Sequence, residues 1–176
     1  MGVGLGDLWQ LCTQRDGASV ELSTWMITNE SPQGYAVMHV SGKTKELSVG
    51  GLAAVRTGEA KDWQVCIVRW AASENPEHLE LGLQVLAPTA IAAVLAQPSE
   101  SKGTEHVPAL ILPEIPNFRP TQLLVVAAGA VPRRQQKLLL VIEGKNLVVR
   151  EMHSIGIDEE TASVEILAIA TDQDTS

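Results

Sequence analysis

The segment Trp25-Met26-Ile27-Thr28, followed by Asn29-Glu30-Ser31-Pro32-Gln33-Gly34 and then Tyr35-Ala36-Val37-Met38-His39-Val40, decides how the first half of the chain folds. Its flanks are β-branched, aromatic or otherwise apolar and suit a pleated strand. Between them Pro32 fixes its own φ, and Gly34 reaches conformations closed to other residues. The pattern predicts two strands, the first running Val20 to Thr28, joined by a turn at Asn29 to Gly34. Further on, Ser41 to Glu46 reads as a polar loop and Leu52 to Arg56 as a strand after Val49-Gly50-Gly51. Trp63 to Trp70 and His78 to Leu86 are two more strands across the loop Ser73 to Glu77. Trp63, Val65, Ile67 and Arg69 fall on one face of the first, and Leu79, Leu81, Leu83 and Val85 on one face of the second, the period of two that marks a strand. Short strands with turns about every ten residues belong to a small antiparallel barrel or sandwich.

Ahead of these strands, Leu5, Leu8, Trp9 and Cys12 recur at helical spacing with Asp7 near the start. This predicts a short helix from about Asp7 to Cys12 that lays Leu8, Trp9 and Leu11 on the barrel. Behind them, Pro88 to Gln97 fits either a helix face or a strand, and Pro98 to Thr104 has the composition of a linker. Five further strands follow, at Val107 to Leu112, Leu123 to Ala127, Lys137 to Ile142, Leu147 to Arg150 and Val164 to Ile169. Glu143 to Asn146 reads as a hairpin loop, and Thr171 to Ser176 as a frayed end. The organisation expected is a first domain over residues 1–98 and a second β-barrel-like domain over 104–170.

Composition narrows the function. Of 176 residues 45% are hydrophobic and 19% charged, a globular mixture. A net charge of -8 argues against wrapping a nucleic-acid polymer, which needs many phosphate-neutralising Lys and Arg residues, but leaves room for one small anion at a local cluster. No apolar run is long enough for a spanning helix and the N-terminus lacks a secretion signal, so a cytoplasmic protein without membrane insertion is expected. Cys12 and Cys66 lie in apolar segments and are expected to be free thiols. The four histidines lack metal-ligand spacing. No nucleophile elbow, phosphate-binding glycine loop or His-Glu-x-x-His is present, so the chain reads as a non-enzyme with no cofactor.

Taken in order, Asn29-Glu30-Ser31-Pro32-Gln33-Gly34, Val68-Arg69-Trp70 and Leu79-Glu80-Leu81-Gly82-Leu83 resemble a PilZ domain, a small β-barrel that binds the bacterial second messenger cyclic di-GMP. The resemblance covers about residues 20 to 88. It implies an all-β fold of two small antiparallel β-barrels in tandem, the first PilZ-like, with short helices at most. It assigns Asn29, Ser31 and Gly34 to a ligand-contacting turn, and Val68 to Trp70 and Glu80 to Leu83 to strands that do not touch the ligand. The family's paired arginines, four positions apart ahead of the turn, are half present: Arg15 is there, but Ser19 stands where the second would be. The start at Met1-Gly2, with no leading polar tail, is also what a shortened N-terminus would look like, and a preceding region is one place for the missing pair.

The chemistry of the ligand makes that departure matter. A cyclic dinucleotide presents two phosphate charges and two guanine edges, which call for short polar groups, a close backbone approach and guanidinium forks. Loss of one bidentate, charge-assisted contact costs roughly 1.5 to 3 kcal/mol, about ten- to a hundredfold in affinity. Cyclic di-GMP binding through Arg15, Asn29, Ser31 and Gly34 is therefore expected to be weak or lost. Arg56 and Arg69 are candidate stand-ins, with Arg133-Arg134 the next basic pair. The alternative is a ligand-independent PilZ-like adaptor for a protein partner, for which an outward-facing Trp9, Trp25, Trp63 or Trp70 would be the anchor.

Overall fold

The computed structural model describes residues 1–13, 19–44, 47–75, 78–98, 103–143 and 146–171. They divide into two units, Met1–Thr89 and Ala90–Ser176.

In the first unit, β1 (Gly2–Val3) runs into helix α1 (Gly4–Thr13), and five strands follow: β2 (Thr24–Ser31), β3 (Gly34–Ser41), β4 (Leu52–Val55), β5 (Gln64–Asn75) and β6 (His78–Ala87). They form one antiparallel sheet in the order β1-β4-β5-β6-β3-β2. Val37, Ala53, Val55, Cys66, Val68 and Leu81 form the core of its concave side. All four residues of β4 are buried, because Ala53 and Val55 face that core while α1 packs over the strand and buries Leu8. The helix is a turn longer at its N-terminal end than expected. A backbone hydrogen bond from Ser23 N–H to the Met1 carbonyl (3.0 Å) draws the two ends of the sheet together without a ladder between them.

The second unit has six strands: β7 (Ile91–Pro98), β8 (Thr104–Leu112), β9 (Gln122–Ala127), β10 (Lys137–Glu143), β11 (Leu147–Glu160) and β12 (Val164–Ala170). They close into an antiparallel barrel in the order β10-β11-β12-β9-β8-β7. Ala93, Leu95, Leu124, Leu138, Leu140 and Met152 belong to its core, joined by Val131 from the β9–β10 connection. Buried Gln97 and Glu165 hold that connection: Gln97 Nε2 donates to the Ala130 carbonyl (2.7 Å), and Glu165 Oε1 accepts from Gly129 N–H (3.0 Å).

The chain is thus all-β with tandem barrel-like units, and four expectations are corrected in detail. The first unit, expected as a small antiparallel barrel, does not close by strand pairing; it is a curled half-barrel, because the two residues of β1 are too few to extend a ladder to β2. Residues 91–98 belong to the second unit, not the first, since β7 pairs with both β8 and β10. Pro98 pairs with Thr104, so the polar break between them joins a hairpin rather than two domains. Val20 to Ser23 lies outside the strands, whereas Asn29 to Ser31 lies inside β2. Residues 99–102, 144–145 and 172–176, where loop or frayed structure is expected, fall outside the described residues.

Candidate functional site

Only Pro32 and Gln33 form the turn between β2 and β3, with Ser31 paired to Gly34. Asn29 Oδ1 accepts from Glu30 N–H (2.9 Å), and Ser31 Oγ accepts from Gln33 N–H (3.3 Å), so both side chains brace their own hairpin. A register shift between Ile27 and Asn29 twists the end of β2. Gly34 is buried and has no positive φ; its role is space, because a Cβ there would overlap the Leu83 carbonyl oxygen on β6. The Gln33 carbonyl accepts from Val85 N–H (2.9 Å), which pins the turn to β6.

Beside this hairpin lies a cleft of about 430 Å³. Asn29, Ser31 and Gly34 line it from the hairpin, and Arg69, Trp70 and Gln84 from β5 and β6. Arg69, Trp70, Gly82 and Leu83, from the strands expected not to touch the ligand, line this same cleft. The cause is a bulge. Val68 pairs with Leu83 and Trp70 with Gly82, so Arg69 is one extra residue on β5. Val68 points into the core, while Arg69 and Trp70 are both exposed. The indole lies against Gly82, where a Cβ would run into its Nε1. Arg69 Nε donates to Gln84 Oε1 across the ladder (2.6 Å).

Chemically, the cleft offers a guanidinium for an anion, an indole face for a base, and amide and hydroxyl groups for edges. Among the described residues that line it, Arg69 is the one cationic side chain, and Glu30 places a carboxylate in the same space. The other arginines weighed above go elsewhere. Arg56 stacks over Trp63 at 4.6 Å, and Arg133 Nη2 donates to both carboxylate oxygens of Glu160 (3.0 and 3.2 Å). Arg15 lies outside the described residues. Cys12 and Cys66 are unpaired thiols, and among the described residues no group of three His, Cys, Asp or Glu side chains could hold a metal.

The signals for Trp70 and Gly82 stood in the sequence: a glycine inside an alternating apolar strand marks a close approach. The bulge that swings Arg69 and Trp70 to the same side had no such signal. A strand's period assigns them opposite faces.

Comparison with known families matches residues 10–91 to a model described as the cyclic-di-GMP receptor FimW, middle PilZ domain. Searches of curated proteins and of solved structures give no match. The matched span takes in the last turn of α1, the hairpin and all of β2 to β6. Residues 10–91 are thus similar to the PilZ-type domain of a cyclic-di-GMP receptor.

Proposed function

We propose that this chain is a non-enzymatic bacterial signalling protein of the cytoplasm, without membrane insertion or a cofactor. Its PilZ-type unit takes cyclic di-GMP weakly in the hairpin cleft, and a protein partner receives the signal. The observation that carries this is the meeting of Asn29 and Ser31 with a guanidinium and an exposed indole around one cavity. Weakness follows from the charges in view, since among the described residues one arginine and one glutamate line the cleft and a ligand with two phosphates gains little net attraction from them. Calorimetric titration with cyclic di-GMP tests the proposal. The expected result is a dissociation constant in the micromolar range or above, with Arg15→Ala and Ser31→Ala each weakening binding by about 1 to 3 kcal/mol. Submicromolar affinity indifferent to both substitutions would overturn it.

A second reading, a ligand-independent adaptor, is favoured by β2. Met26 and Ile27 are consecutive residues of the sheet's outermost strand, and they are 47% and 41% exposed. Apolar side chains on both sides of an edge strand suit a partner that adds a strand there. Absence of cyclic di-GMP binding at millimolar ligand would select this reading.

A further inference from the structure

We propose that the closed barrel binds a second copy of this chain, the Phe118 ring of one copy entering the cavity beside Ile155 and Ile157 of the next, so that copies associate head to tail. The contact uses the second unit alone and owes nothing to cyclic di-GMP.

Phe118 sits in the β8–β9 connection and is 74% exposed, more than any other large apolar side chain among the described residues. The connection, Pro113 to Thr121, is far longer than an antiparallel hairpin needs, and it is tightly braced. The Ile115 carbonyl accepts from Phe118 N–H (3.0 Å) and Arg119 N–H (2.8 Å), and Ile115 N–H donates to the Arg119 carbonyl (2.8 Å). Arg119 Nη2 donates to the Pro113 carbonyl (2.7 Å), Asn117 holds a φ of 62°, and Pro113, Pro116 and Pro120 fix their own φ. A ring held out to water on such a loop has little backbone freedom left to lose on docking, which suits it to anchor a contact.

A cavity of about 180 Å³ lies between the β9–β10 connection and β11. Val131 and Leu167 of the core line it, together with Pro132, Ile155 and Ile157. Ile157 pairs with Leu167 and yet is 47% exposed, and Ile155, the extra residue of a bulge on β11, is 60% exposed. The apolar interior is thus open to water here, in a space comparable with the roughly 150 Å³ that takes a benzene ring. The bond from Gly129 N–H to Glu165, which also lines the cavity, fixes the connection beside it. Charge agrees with shape: exposed Glu114 accompanies Phe118, while Arg133 lines the cavity and exposed Arg134 follows it. The six residues of β9 join the two connections, so ring and cavity lie at opposite ends of a strand about 20 Å long. A barrel cannot fill its own cavity with its own ring, but it can fill that of the next copy.

Sedimentation velocity of the full chain tests this, with thermal unfolding of each variant as a check on the fold. One aromatic anchor working against a net charge of -8 gives a weak contact, with an expected dissociation constant between about 10 µM and 1 mM and species beyond the dimer at the highest concentrations. Phe118→Ala and Ile155→Glu each alter an exposed side chain, and each is expected to abolish association without lowering the melting temperature. Mixed one to one, the two variants are expected to form a dimer and nothing larger, because the first keeps its cavity and the second its ring. Glu114→Arg and Arg134→Glu are each expected to weaken association about threefold or more, and a chain carrying both to recover it. Monomers at every concentration, association that survives Phe118→Ala, or a mixture of the first two variants that stays monomeric would each overturn the proposal. Binding of a monomeric chain to phosphatidylcholine vesicles, lost in Phe118→Ala, would overturn it too, by assigning the ring to a membrane surface.

Discussion

At the scale of the residue, Gly34 shows how one motif position is required by the fold itself. Its hydrogen occupies the space where a methyl group would meet the Leu83 carbonyl, so Gly34→Ala must push β3 from β6 or strain the turn. The expected cost is about 1 to 3 kcal/mol, read from urea denaturation. The cysteines give a second prediction. Burial pushes the Cys66 thiol up to about 12, and burial together with the Asp62 charge pushes Cys12 up to about 11. The neutral thiols are favoured by the fold, so the unfolded chain sheds these protons first as pH rises. Stability is therefore full below pH 9, where an ordinary thiol titrates, and falls as pH climbs toward 12. Melting temperatures across that interval check this, and Cys66→Ala is expected to flatten the slope. At neutral pH a thiol reagent should find Cys66 only after denaturation.

At the scale of the element, the sequence revealed most of what its periodicity could carry. The β2–β3 hairpin, β5, β6 and the five strands from β8 to β12 were legible because alternation, turn residues and β-branched content agreed. β7 was not placed, since a run of Ala, Val, Leu and Ile has the same look on a helix or a strand, and only its ladders to β8 and β10 decide. Of the site, Asn29 and Ser31 were legible from their motif, whereas Arg69 and Trp70 depended on a bulge with no local signature. That bulge can be tested as an element. Deleting Arg69 leaves the Val68–Leu83 and Trp70–Gly82 pairs as neighbours in an unbroken ladder. The shortened chain is expected to fold with a stability change of about 1 kcal/mol or less, with Trp70 still on the outer side. A collapse of the β signal in circular dichroism would show that the bulge is needed for folding.

At the scale of the whole molecule, the two units make a prediction about where the chain can be cut. A fragment starting at Ala90 keeps all six strands of the closed barrel, whereas one starting at Thr104 loses β7 and with it the pairing partner of both β8 and β10. The first is expected to melt cooperatively and the second to expose apolar surface and bind a hydrophobic dye. Net charge acts at the same scale. With -8 on the chain, long-range repulsion of an anionic ligand is relieved by salt while any direct cation–phosphate contact is weakened by it. The two trends oppose, so cyclic di-GMP affinity is expected to change little between low and physiological salt.

The placement of the aromatic side chains divides the molecule optically. Trp9, Trp25, Trp63, Trp70 and Tyr35 all precede residue 90, and the second unit carries Phe118 as its sole aromatic. Indole emission thus reports the PilZ-type unit alone, while far-ultraviolet dichroism sums both units. Denaturation curves followed by the two signals will diverge wherever the units differ in stability, and that divergence will reflect two cooperative bodies rather than a partly folded intermediate of one. The closed barrel melts in the dark, and its transition is what remains when the emission curve is subtracted from the dichroism.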